Sequence, residues 1–221
     1  MTSLVLDTSS ERMLIGLRSG ITRTLNLSSG GNHAQDILPR LEELLEGRIP
    51  DVLGVCLGPG SFTGLRIGLS TAKGLSEGWN RPLWGLDNLA AMAKTWQGLY
   101  PRPETAVLCA LDARKQKFYG ALYHGTKVLI SGRDWNAERW RSEVATVWRG
   151  PVAVSGFQGH LLASQWPVMP ELWETFPLDD WTIALLEQLE TVSKRNEPLT
   201  NESGPVYLRL SEAEELRLGG G

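Results

Sequence analysis

One pattern of short elements is laid down twice along the chain, and it restricts the fold more than any other property of the sequence. Leu4-Val5-Leu6 is an apolar run ending in Asp7-Thr8-Ser9-Ser10, and Met13 to Leu17 follows as a second apolar run. Ser19-Gly20 has the composition of a turn, and Ile21 to Leu27 alternates with the two-residue period of a strand. From His33 to Leu45 the period becomes helical, with Ile37, Leu38, Leu41, Leu44 and Leu45 on one side. Pro39 falls in the first turns of that helix, where a missing N–H is best tolerated. Val52 to Leu57 completes the set as a buried strand. The second copy starts at Val107-Leu108-Cys109-Ala110-Leu111 and ends in Asp112-Ala113-Arg114. Phe118 to Tyr123, a turn at His124-Gly125, Lys127 to Ser131, a helix capped by Asn136 and running to about Thr146, and a strand at Val152 to Ser155 then repeat the order. Gly20 lies thirteen residues after Asp7, and Gly125 lies thirteen after Asp112.

Two β-β-β-α-β units side by side resemble, by analogy of fold, an α/β, actin-like ATPase (ASKHA) architecture, with lobes expected at 1–104 and 105–221 and a central cleft. In such folds the turn after each lobe's first strand holds nucleotide phosphates. It needs an aspartate for the metal shell and a glycine that lets backbone N–H groups approach. Here the turns are Asp7-Thr8-Ser9 and Asp112-Ala113-Arg114, and neither contains a glycine. Asp7, Thr8, Ser9, Asp112 and Arg114 therefore mark a degenerate nucleotide cleft.

Glycine is instead concentrated in Gly58-Pro59-Gly60-Ser61-Phe62-Thr63-Gly64-Leu65-Arg66, between the Val52–Leu57 strand and a helix that continues to Trp79. No Gly-Lys-Ser/Thr closes the loop, so it is not a Walker phosphate loop. It is either a tight turn capped by Ser61 or Thr63, or a loop presented to a partner or ligand. Gly64, Gly68, Ala72 and Ser76 then form one stripe along the helix, with Thr71, Gly74 and Gly78 adding small residues. Each helical glycine costs about 1 kcal/mol relative to alanine, and close approach of another backbone can offset that. That backbone belongs either to the chain's own sheet or to another subunit.

The remaining chemistry is sparse. Residues 1–104 carry ten basic and ten acidic side chains and residues 105–221 carry twelve and fifteen, without the cationic excess of a protein that grips nucleic acid alone. Cys56 and Cys109 lie in apolar runs, with no zinc or redox spacing, and read as buried thiols. His33, His124 and His160 share no metal-ligand spacing, and no Gly-x-Ser-x-Gly nucleophile elbow occurs. Asp179-Asp180 opens a helix at Trp181. Six of the nine tryptophans lie from Trp135 to Trp181 without repeated spacing, as packing residues do. No apolar run approaches the length of a membrane span, and the expectation is a cytoplasmic protein.

Leu6-Asp7-Thr8-Ser9, His33-Ala34-Gln35 with Leu38-Pro39, Gly58 to Gly68, Ala72-Lys73-Gly74-Leu75, Leu111 to Arg114 and Pro205-Val206-Tyr207-Leu208-Arg209 together resemble the bacterial TsaB (YeaZ) family. The glycine loop is the most specific piece. The resemblance implies an actin-like fold without its own catalysis. The chain would bind a TsaD-like subunit, joined by a TsaE-like ATPase, for threonylcarbamoylation of the adenosine beside the anticodon in tRNAs reading ANN codons. It implies contact with tRNA only through the complex, a homodimer in isolation, no membrane, no catalytic residue and no metal. No cofactor is expected for the chain alone, with ATP or ADP entering at the level of the complex. The His-x-Glu-Ala-His metal motif of TsaD-type proteins does not occur.

Mapped by the resemblance, the partner interface takes His33, Gln35, Ile37, Leu38 and Leu41 from the first helix. From the loop and second helix it takes Ser61, Phe62, Thr63, Gly64, Leu65, Arg66, Ile67, Gly68, Thr71, Ala72 and Leu75. On that basis Gly68→Trp is expected to break a heterodimer while the lobe stays folded. The alternative is an active small-molecule kinase or nucleotide hydrolase of the same fold, with Asp7 and Asp112 sharing a magnesium-bound nucleotide.

Overall fold

Strands with apolar side chains on both faces must be covered on both faces, and this chain does so in five layers. In a computed structural model, residues 1–28, 32–156, 159–166, 172–173 and 177–208 are described. The first half comprises β1 (Ser3–Asp7), β2 (Arg12–Ser19), β3 (Ile21–Ser28), α1 (His33–Leu45), β4 (Val52–Cys56), α2 (Phe62–Trp79), β5 (Leu83–Leu86) and α3 (Asn88–Leu99). The second comprises β6 (Ala106–Asp112), β7 (Lys117–His124), β8 (Lys127–Asn136), α4 (Ala137–Val147), β9 (Val152–Ser155), α5 (Gly159–Ala163), β10 (Leu172–Trp173) and α6 (Leu178–Val192).

The expected β-β-β-α-β repeat is present, and the two sheets correspond. One has the order β3-β2-β1-β4-β5 and the other β10-β9-β6-β7-β8. In each, the first strand pairs antiparallel with the second and parallel with the fourth. Side-chain alternation assigns the layers. Leu4, Leu6 and Leu53 join Ile37 and Leu41 of α1 and Leu69 and Ala72 of α2 in an outer core. Leu108, Ala110 and Phe118 join Trp140 of α4 and Leu162 of α5 in a second outer core. Between the sheets, Val5, Leu14, Val107 and Cys109 pack with Met92 and Trp96 of α3 and Trp181, Leu185 and Leu189 of α6.

The middle layer crosses the expected lobe boundary. The 104/105 division separates the two sheets but not the packing. α3, which follows the first sheet, lies on β6, β7 and β9; α6, which follows the second, lies on β1 to β5; and the two helices touch. The Thr24 hydroxyl donates to Asp179 Oδ1 at 2.6 Å and the Asn26 amide donates to the same oxygen, so the acidic first turn of α6 fastens onto β3. Gly16 makes room for α6: a methyl group there would lie 2.7 Å from Thr182 Cγ2. Residues 199–208 return to the first sheet as well, where the Leu199 amide donates to the Leu83 carbonyl and the Val206 amide to the Leu57 carbonyl, both at 2.7 Å. The segment 178–208, counted with the second lobe on sequence, thus covers the first.

Candidate functional site

The first degenerate turn and the glycine loop form one structure. Parallel pairing of β1 with β4 brings the turn at 7–10 beside the loop at 58–61. The Ser61 amide donates to the Ser9 carbonyl at 2.6 Å. Ser61 caps α2, accepting from the Gly64 amide at 3.2 Å, as expected of a capping serine. The Thr8 hydroxyl donates to the Gly64 carbonyl at 2.7 Å, and Asn88 Nδ2 donates to Ser9 Oγ at 2.9 Å and to the Pro59 carbonyl at 2.6 Å.

This contact explains the small-residue stripe within one chain. A methyl group on Gly60 would lie 2.2 Å from the Ser9 carbonyl oxygen, on Gly64 2.0 Å from the Thr8 carbonyl oxygen, and on Gly68 2.3 Å from Thr8 Oγ1. The stripe lets α2 lie against the β1 turn, and Gly68→Trp cannot leave the lobe folded. A methyl group on Gly74 or Gly78, by contrast, would meet nothing within 4 Å.

The expected interface residues separate accordingly. His33, Ile37, Leu41, Gly64, Leu65, Gly68 and Ala72 are buried in the lobe. They form the inward faces of amphipathic helices, and no docking surface can rest on them. His33 Nε2 donates to the Ser10 carbonyl at 2.9 Å, so this residue also braces the turn. Gln35, Leu38, Ser61, Thr63 and Arg66 are exposed, and Phe62, Ile67, Thr71 and Leu75 are half-buried. Ser70, Gly74 and Gly78 share the outer surface of α2, and Ala34 is exposed on α1. Sequence reasoning had Gly74 and Gly78 as additions to the stripe, but helical spacing alone does not say which glycines point inward.

The first turn does not fit a nucleotide phosphate. Two of its donors are engaged inside the chain: the Ser9 amide donates to Asp7 Oδ1 at 2.7 Å and the Thr8 hydroxyl to the Gly64 carbonyl. Thr8 and Ser9 are each 2% exposed. Asp7 Oδ2 and Asn88 Oδ1 are buried without a hydrogen bond among the described residues. Burial raises the Asp7 pKa, against the lowering effects of Ser9, the adjacent Cys56 thiol and His33. Burial, then the Asp7 charge, pushes the Cys56 thiol well up, and burial does the same to Cys109. Asp87 caps α3 by accepting from the Leu89 and Ala90 amides at 2.9 and 3.1 Å. Although solvent reaches it, the protein packed around it raises its pKa.

A raised carboxylate pKa has a definite sign for stability. The folded chain holds the Asp7 proton more tightly than the unfolded chain does. The resulting stabilisation is complete below the unfolded-state value, about 3.9, and is lost as pH rises through the folded value. The melting temperature of Asp7→Asn relative to wild type should therefore increase from pH 4 to pH 8. The difference in unfolding free energy between the two should grow over the same range. Parallel thermal-unfolding profiles across that range would show that Asp7 does not carry the effect.

The second turn is built differently. Arg114, Lys115 and Gln116 all take positive φ, at 60°, 53° and 60°. A left-handed non-glycine residue costs roughly 1–2 kcal/mol. The turn is held by the Arg114 amide donating to Asp112 Oδ1 at 2.8 Å and the Ala113 amide to the Lys117 carbonyl at 2.9 Å. Arg114, Lys115 and Gln116 are exposed. Among the described residues no three His, Cys, Asp or Glu side chains could hold a metal ion, and no helix is long and apolar enough to cross a membrane.

A family model described as TsaD, tRNA N6-adenosine threonylcarbamoyltransferase, matches residues 28–136. The chain is 30% identical over 184 residues to the tRNA threonylcarbamoyladenosine biosynthesis protein TsaB of Escherichia coli, covering 80% of this chain and 74% of that one. It is 35% identical over 125 residues to the TsaB protein of Haemophilus influenzae, covering 54% of this chain and 52% of the relative. Among solved structures, YeaZ from Pseudomonas aeruginosa superimposes with a TM-score of 0.76 at 26% identity, covering 94% of this chain and 99% of that one. An inorganic polyphosphate/ATP-glucomannokinase from Arthrobacter, at TM-score 0.54 and 12% identity, shares the fold alone.

Proposed function

The chain belongs to the TsaB (YeaZ) family of tRNA threonylcarbamoyladenosine biosynthesis proteins, and from that premise we propose that it is a non-catalytic subunit that docks a TsaD-like partner. A TsaE-like ATPase joins the pair, and tRNA is met through the assembled complex. The chain binds no nucleotide of its own; ATP or ADP acts at the level of the complex, in the cytoplasm. Alone, the chain self-associates through the docking face.

One observation above all supports the non-catalytic reading: the glycine loop and α2 lie on the Thr8–Ser9 turn, where an actin-like enzyme would hold phosphate. The turn that serves chemistry elsewhere serves packing here. The docking reading is supported by the outer surfaces of α1 and α2, with Leu38 at 56% exposure and open space above Gly74 and Gly78. Small outward residues let a partner helix approach closely, and stable interfaces of this kind bury about 2,000 Å² or more.

The test is reconstitution with TsaD-like and TsaE-like subunits and a tRNA substrate. Modification should require this chain, and the chain alone with ATP and magnesium should show neither transfer nor nucleotide turnover. Turnover by the purified chain at an enzymatic rate would refute the proposal, as would full activity without it.

A further inference from the structure

At the start of α2 one cation is held in place by contacts that neither the lobe core nor the buried turn requires. Arg66 Cζ lies 3.9 Å from the centre of the Phe62 ring, and Arg66 Nε donates to the Tyr207 hydroxyl at 3.1 Å. Tyr207 stacks on Phe62, with ring centres 4.7 Å apart and planes 28° apart. Tyr207 comes from the end of the segment that crosses back to the first sheet. That segment is fastened at Leu199 and Val206 by backbone hydrogen bonds, and between them by Lys73 Nζ, which donates to the Asn201 and Ser203 carbonyls at 2.7 Å each. Arg66 is exposed, and among the described residues no carboxylate pairs with it.

An arginine clamped between a ring face and a phenol has lost most of its rotamer freedom before it meets a ligand, so less is lost on binding. Its remaining N–H groups match the fork geometry of a carboxylate. Half-buried Ile67 follows Arg66 and exposed Val206 precedes Tyr207 in sequence, and the Lys73 ammonium on the same helix is already engaged. A single fixed cation with an aromatic and apolar surround fits the centre of a protein interface. A polyanion would call for several free cations in a row.

We propose that Arg66, held by Phe62 and Tyr207, receives an aspartate or glutamate carboxylate of the TsaD-like subunit, and that the segment 199–208 is part of the docking surface. This rests on the docking reading above. Phe62 and Tyr207 act as positioning residues.

The experiment measures the dissociation constant of the full chain with its TsaD-like subunit by calorimetry, at about 50 mM and about 300 mM salt. Arg66→Gln should weaken binding roughly 30-fold or more at low salt and remove most of the salt dependence. Arg66→Lys should keep the salt dependence but recover only part of the affinity, because the planar fork is lost. Tyr207→Phe keeps the stack and should weaken binding about fivefold. Gly74→Trp, on the outer face of α2, tests the docking reading separately. If Gly74→Trp abolishes binding while all three Arg66 and Tyr207 variants bind as wild type, the Arg66 proposal falls and the docking reading stands. If none of the four changes binding, both fall. If Arg66→Gln leaves the subunits bound but loosens tRNA on the assembled complex, the acceptor is a phosphate and the carboxylate assignment is overturned.

Discussion

Gly64→Ala should lower the melting temperature by about 10 °C, a large effect for a single methyl group. The new carbon would lie 2.0 Å from the Thr8 carbonyl oxygen, and main chain cannot swing aside as a flexible side chain can. Overpacking costs about 1–3 kcal/mol and more where the neighbour is rigid. Displacing α2 also weakens the Thr8–Gly64 hydrogen bond, worth about 1 kcal/mol. Alanine's better helix propensity returns about 1 kcal/mol. The net is about 3 kcal/mol, and each kcal/mol moves the midpoint about 2–4 °C in a chain of this size. Gly74→Ala is the internal control. It meets no neighbour, so it should raise stability by up to about 1 kcal/mol through propensity alone. Calorimetric melts of the two variants should move in opposite directions. Equal shifts would mean that α2 does not lie on the β1 turn as described.

Gly74→Trp should abolish docking of the TsaD-like subunit without harming the fold. A Cβ at position 74 meets no neighbour within the chain, so the melting temperature of the monomer should stay near wild type. Against a partner helix approaching that surface, the indole holds the backbones apart. A steric obstacle of several kcal/mol corresponds to a loss of roughly 100-fold or more in affinity. Size-exclusion chromatography and calorimetry of the mixed subunits would measure it. Unchanged affinity would move the docking face off α2. The contrast with Gly68 is informative, because the two glycines are six residues apart on one helix, yet a methyl group at 68 would lie 2.3 Å from Thr8 Oγ1.

That contrast also marks where the sequence stops being informative. The duplicated order of elements was legible because periodicity and turn composition are local properties. α1 begins at His33 and ends at Leu45, and β9 runs from Val152 to Ser155, as the pattern predicts. The lack of glycine in the first turn was legible as well. What was not legible was the group that fills it. A run of glycines announces that some backbone comes close, but Gly60, Gly64 and Gly68 meet Thr8 and Ser9, more than fifty residues away in the chain. The second turn defeated composition in a different way. Three successive left-handed residues occur without a glycine, at Arg114, Lys115 and Gln116, where tertiary context overrides preference. Nor was it legible that α6, which follows the second sheet in sequence, covers the first in space, because periodicity does not say which sheet a helix packs on.

The placement of α3 and α6 bears on how this molecule can move. Each sheet has one flank covered by a helix that follows the other sheet in sequence, so neither half can be cut free at residue 104 without stripping apolar surface from both. Opening or closing between the halves would have to slide one helix across the other, a shear of limited travel, because a wide rotation about a hinge would tear their shared packing.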